Sequence, residues 1–123
     1  MKFNHEELLE LTTADGGRFC AQTLEEAQRF CKKIATSHYE NFPVGSLLIP
    51  KVFREHFFSV YAFSRVADDL ADELITIGED IQLSALNEFE KRLLDTTDRQ
   101  SGNPIFLALR HTMMSRNIPP EPF

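Results

Sequence analysis

Apolar residues recur at helical spacing along most of the chain. Leu24, Ala27, Phe30, Cys31, Ile34 and Ala35 fall on one face of a helix, and Thr23 followed three positions later by Glu26 forms a capping box at its start. The pattern predicts a helix from residue 24 to about 39 that stops before Pro43. Asn41 to Ser46, with Pro43 and Gly45, reads as a connector. Pro50 suits a first helical turn, where its missing N–H costs nothing, and no breaker follows until Gly78. Residues 51–77 are therefore expected to form one long, mostly buried helix, about 38 Å at ~1.5 Å per residue. A third helix is expected over residues 80–98, with Ile81, Leu83, Leu86, Phe89, Leu93 and Leu94 as its apolar stripe. A fourth opens with Asn103 as cap and Pro104 at its first position and runs to about residue 116. Residues 1–22 read as a loosely structured lead-in, with a short helix over 5–11 and a turn at Asp15-Gly16-Gly17. No segment alternates as a strand does, so the fold class is all-α.

Composition narrows the classes of function. The 123 residues carry 13 Lys+Arg against 19 Asp+Glu, a net charge of -6, without the basic stripe that nucleic acid requires. Eleven Phe and 42% hydrophobic content supply a real core and exclude disorder. Cys20 and Cys31, eleven apart, match neither a CxxC pair nor a zinc pattern and read as reduced thiols of a cytoplasmic protein. The acidic N-terminus has no apolar signal region, and the longest near-apolar run, residues 57–64, is far short of the ~20 residues that span a bilayer.

The candidate chemistry lies in Tyr61-Ala-Phe-Ser-Arg65-Val-Ala-Asp68-Asp69-Leu-Ala-Asp72-Glu73. On a helix Tyr61, Arg65, Asp68 and Asp72 fall within about 60° of arc, with Asp69 and Glu73 on the flank. Like charges one turn apart cost ~0.2–0.5 kcal/mol per pair, and acids near a helix C-terminus oppose its dipole. Two local rules are broken in one turn, as happens where function imposes a pattern, and a divalent cation is the simplest compensation. Mg²⁺ held by Asp68 and Asp72, with water and phosphate oxygens completing its shell, fits this spacing. Arg65, one turn before, could grip the phosphate. The competing reading is a solvated acidic helix end in a non-enzymatic bundle. Because the acids follow an almost wholly apolar segment, they are expected to point into a bundle interior. Other constellations fail: His38-Tyr39-Glu40 lacks the PCxxC partner of zinc deaminases, and there is no Glu-x-x-His pair, EF-hand or phosphate-binding loop. His56 and His111 read as packed or surface histidines.

Three strings in order, Ser37-His38-Tyr39-Glu40-Asn41-Phe42-Pro43-Val44, Leu47-Leu48-Ile49-Pro50 and the Tyr61 to Glu73 segment, resemble the squalene and phytoene synthase family of head-to-head prenyl transferases. The first string is most similar to the bacterial hopanoid-pathway branch, the hydroxysqualene synthases. The resemblance covers residues 24–123 and implies an all-α isoprenoid synthase fold around a central cavity. It implies Mg²⁺ at Asp68 and Asp72, with Asp69 and Glu73 alongside, Tyr61 and Arg65 as catalytic cavity-lining residues, and His38, Asn41, Phe42 and Arg65 as substrate-binding groups. Phe57 and Phe58 would help line the prenyl channel. The implied partner is a prenyl diphosphate, presqualene or farnesyl diphosphate, and the implied activity is conversion of presqualene diphosphate to hydroxysqualene. Squalene, phytoene or presqualene diphosphate synthesis is the alternative within the family. Members carry a second aspartate-rich motif that nothing here matches, so the chain reads as the N-terminal portion of a single prenyl-synthase domain, inactive alone. The expected location is the cytoplasm, with weak peripheral contact at the inner membrane face, where a hydrocarbon product would partition.

Overall fold

The structure, a computed structural model, describes residues 2–37, 49–95 and 102–116. Five α-helices run through them: α1 (His5–Glu10), α2 (Leu24–Ser37), α3 (Lys51–Leu74), α4 (Glu79–Leu94) and α5 (Pro104–Arg116), with a 3₁₀ turn at Gly17–Phe19. No strand occurs among the described residues, as the periodicity predicts. The expected connector over 41–46 and the last residues of the expected 24–39 helix lie outside the described residues.

α3 is the spine: α1, α2, α4 and α5 all pack against it, and α2 also packs on α5. Its inward line of Phe58, Ala62, Phe63, Val66, Leu70 and Leu74 meets Cys31, Ile34 and Ala35 of α2, Phe89 and Leu93 of α4, and Phe106, Leu109 and Met113 of α5. Three rings tie α3, α4 and α5 together. Phe63 stacks on Phe89 at 5.2 Å, and Phe106 meets Phe89 edge-on at 4.9 Å, pairs worth ~0.5–1.5 kcal/mol each beyond the burial of their area. The expectation of a mostly buried α3 holds for one side only, since Val52, Phe53 and Phe57 are exposed along the other.

Two helix ends differ from the sequence pattern. α3 stops at Leu74 rather than residue 77: the Thr76 and Ile77 N–H groups bond only three residues back, to Glu73 and Leu74, and the Thr76 hydroxyl also donates to the Glu73 carbonyl, so the last turn tightens out of α geometry. Gly78, at φ 150°, then opens α4, a backbone conformation that side chains with a Cβ rarely adopt. α4 ends at Leu94 rather than 98; Asp95 leaves helical geometry at ψ 86°, and its carbonyl accepts a hydrogen bond from the Arg110 guanidinium of α5.

The lead-in is packed, not loose. Asn4 and Glu7 form a reciprocal capping box at α1, and Phe3, Leu8 and Leu11 are buried in the core. Asn103 holds the segment in place. Its Oδ1 accepts the Ile105 N–H and caps α5, while its Nδ2 donates to the carbonyls of Leu11 and Thr13 at 2.7 and 2.8 Å. Backbone bonds from Asn103 to Ala14 and from Ala21 to Gly102 complete the seam. Gly16, at φ 79°, is pressed so close to α5 that a Cβ there would lie 2.9 Å from Pro104 Cδ. No helix among the described residues is long and apolar enough to cross a membrane.

Candidate active site

The residues that fill the core side of α3 leave Tyr61, Arg65, Asp68 and Asp72 on its opposite side, in one line. Asp68 and Asp72 are exposed, whereas Tyr61, Arg65, Asp69 and Glu73 are half-buried. The expectation that the acids point into the bundle is therefore corrected: Val66, Leu70 and Leu74 take the interior positions, and the interleaved carboxylates face outward. The apolar character of the segment belongs to the other face of the same helix. Tyr61 stacks on Phe57 with ring centroids 6.2 Å apart, so Phe57 extends the stripe toward the start of α3. Phe58 does not join it. It is buried and forms the floor of a groove of about 540 Å³ between α2 and α3, lined by Arg29, Lys32 and Arg54 among others.

Arg65 is positioned by Asp69, one turn on. Its Nε lies 3.5 Å from Asp69 Oδ1, and their side chains are 40% and 14% exposed. That Nε is buried and donates no hydrogen bond, so the contact is an ion pair of loose geometry. The i, i+4 spacing was a signal for this pair that the stripe alone does not convey. Burial pushes the Asp69 carboxyl above its ordinary range; Arg65 pulls it back, and Glu73, Asp68 and Asp72 push it further up. Burial together with three neighbouring acids outweighs one guanidinium. The cluster is short of positive charge.

Among the described residues no group of three or more His, Cys, Asp or Glu side chains converges closely enough to form a metal cage. The donor set suits a different kind of site. Two exposed carboxylates one turn apart offer hard oxygen ligands to Mg²⁺, which keeps most of its shell for water and phosphate oxygens rather than requiring an all-protein cage. Asp68 and Asp72 would hold the ion, and Arg65 stands beside them with its charge only partly answered. His38, Asn41 and Phe42 lie outside the described residues.

Sequence reasoning missed one polar cluster. His56, Ser59 and Thr112 form a hydrogen-bonded set between α3 and α5, and His56 stacks on His111 with centroids 5.8 Å apart.

Comparison with known proteins matches residues 35–123 to the squalene/phytoene synthase family. The chain is 36% identical over 86 residues to a hydroxysqualene synthase of Rhodopseudomonas palustris, covering 70% of this chain and 28% of the relative. It is 34% identical over 79 residues to a hydroxysqualene synthase of Zymomonas mobilis, covering 64% and 25%. A chloroplastic phytoene synthase of Daucus carota is 28% identical over 109 residues, covering 89% and 27%. The chain thus spans about a quarter of the length of the curated relatives it matches. The crystal structure of squalene synthase HpnC from Alicyclobacillus acidocaldarius superposes with a TM-score of 0.69 at 40% identity, over 80% of this chain and 36% of that one.

Proposed function

Because the chain belongs to the squalene/phytoene synthase family, we propose that the outward stripe of α3 is its metal- and diphosphate-facing surface. The observation that carries this reading is the line of Tyr61, Arg65, Asp68 and Asp72, with both carboxylates open and Arg65 half-buried beside them. Asp68 and Asp72 hold Mg²⁺, flanked by Asp69 and Glu73. An ion held there would supply charge neutralisation to a departing diphosphate. Arg65 takes a phosphate oxygen through the N–H groups that Asp69 does not engage. Tyr61 lies one turn before Arg65, where the diphosphate-bearing carbon of the substrate would follow its head group. His38, Asn41 and Phe42 close over the diphosphate, a role that rests on the family resemblance.

The substrate class is a prenyl diphosphate, and the similarity to hydroxysqualene synthases favours presqualene diphosphate. Its C–O bond breaks with release of inorganic diphosphate, the cyclopropylcarbinyl cation rearranges, and water adds with loss of a proton to give hydroxysqualene. Among the described residues Asp68 and Asp72 are open to solvent and so accessible to an ion and a head group. Binding rather than turnover is the activity to measure on them. The reading places the protein in the cytoplasm, with peripheral contact at the inner membrane face where an apolar product partitions.

Calorimetry tests the site. Pyrophosphate should bind the chain only with Mg²⁺, and Asp68→Asn or Asp72→Asn should weaken that binding by about tenfold or more. Metal-independent binding, or none, would refute the assignment. The reaction is tested by a chimera: residues 35–123 placed in the matching segment of the Zymomonas mobilis relative should support formation of a hydroxylated product carrying a water oxygen. Squalene or phytoene as product would favour the alternative chemistry within the family.

A further inference from the structure

Ser59 and Thr112 are among the few polar side chains buried in the core, at 1% and 2% exposure; Thr112 bonds the ring of the half-buried His56 and Ser59 its carbonyl. Counting protons fixes the direction of each bond. The Ser59 hydroxyl has one proton, and its bond to the His56 carbonyl at 2.9 Å uses it, because a carbonyl only accepts. The Thr112 hydroxyl, 2.7 Å from Ser59 Oγ, must then donate to it. Having spent its own proton, Thr112 Oγ1 accepts from His56 Nδ1 at 2.9 Å. The opposite orientation would satisfy only two of the three contacts, forgoing the bond that Ser59 adds to the His56 carbonyl. Nothing among the described residues bonds His56 Nε2, so the tautomer is decided at Nδ1.

The cluster also has a definite place. At ~100° per residue, His56 and Ser59 centre roughly 180° around α3 from the middle of the Tyr61 to Asp72 stripe. A bond network on that side of the helix, anchored in α5, sets the rotation of α3 about its own axis and hence where the stripe points. Apolar packing alone tolerates small rotations; a directional chain of hydrogen bonds does not.

We infer that Ser59 and Thr112 lock His56 as its Nδ1–H tautomer, and that the three together are positioning residues for the carboxylate stripe on the far side of α3. The positioning role rests on the function proposed above, whereas the tautomer does not. Two-bond ¹H–¹⁵N spectra of the labelled chain, at a pH where imidazoles are neutral, distinguish which nitrogen of each of the four histidines carries the proton. Loss of a signal in His56→Gln assigns it. His56 should be protonated at Nδ1 in the unmodified chain and in Thr112→Ser. It should lose that preference in Thr112→Val and in Ser59→Ala, which frees the Thr112 proton to donate to Nδ1. Pyrophosphate affinity with Mg²⁺ should stay within about twofold in Thr112→Ser and fall about tenfold in the other two, the effect of losing a support behind metal ligands. An Nε2–H form of the assigned His56 signal in the unmodified chain overturns the hydrogen-bond chain. A lost tautomer with unchanged affinity overturns the positioning role. An intact tautomer in a chain that binds no pyrophosphate overturns both that role and the proposed site, leaving the lock itself standing.

Discussion

Replacing Asn103 by Ala should destabilise the protein far more than the loss of an ordinary helix cap. The side chain is fully buried and makes three hydrogen bonds, two from Nδ2 to the carbonyls of Leu11 and Thr13 and one accepted by Oδ1 from the Ile105 N–H. The Leu11 and Ile105 bonds are buried, and stranding each polar partner there costs about 1–3 kcal/mol. The Thr13 bond is part-buried, so water can replace it at small cost. The sum is about 4 kcal/mol, against ~1 kcal/mol for removing a typical cap. Asn103→Asp separates the two functions, because it keeps the cap acceptor and turns both donors into an oxygen that faces two carbonyls. Urea denaturation of the two variants should therefore show losses of similar size, and amide exchange should quicken throughout α1. A loss near 1 kcal/mol for Ala, or a near-native Asp variant, would show that Asn103 only caps α5 and would refute the account of how the lead-in is held.

Two further predictions concern titration. Asp69 has its pKa raised, chiefly by burial, so the folded state binds this proton more tightly than the unfolded chain does. Its contribution to stability is fullest at low pH and is lost as pH rises through the folded pKa. The stability of the native chain relative to Asp69→Asn, from denaturation at a series of pH values, should fall across that range and then level, and a rise would contradict the balance described for the cluster. Burial likewise pushes the Cys31 thiol from its ordinary 9.0 up to about 12. Between those values the unfolded chain loses the proton while the folded state keeps it, so stability should drop by ~1.4 kcal/mol per pH unit, a slope absent in Cys31→Ala. In the native chain near neutral pH a thiol reagent should modify the exposed Cys20 and spare Cys31.

Much of the architecture was legible because it is written locally. Thr23, whose hydroxyl accepts the Glu26 N–H while the Glu26 carboxylate accepts that of Gln22, Pro50 before α3, and Asn103-Pro104 before α5 each mark a helix start within a few residues of the groups they bond. The lead-in was misread because the tie that orders it is a side chain far along the sequence, and from sequence alone Asn103 is an ordinary cap. The stripe was legible as spacing, but its direction was not. An apolar run followed by acids looks like one surface until the neighbours of Val66, Leu70 and Leu74 are known, and those neighbours come from α2, α4 and α5. Hydrogen-bond direction at His56 lies further from the sequence still, since it depends on how α3 and α5 meet.

The seam at Asn103 also orders events in time. The bond from its Nδ2 to Leu11 closes a loop of 92 residues, so the seam that ties the end of α1 to α5 waits until the start of α5 exists. On a ribosome adding ~5–20 residues per second, roughly 5–20 s separate the emergence of Leu11 from that of Asn103. During that interval Phe3 can already meet Phe19 and Phe30, but the Leu11 carbonyl lacks its partner on Asn103. A closure of that length carries a large cost in chain entropy, which exposes it to competing contacts. A buried asparagine that reads as a helix cap is thus also a clasp between the first and the last of the described helices.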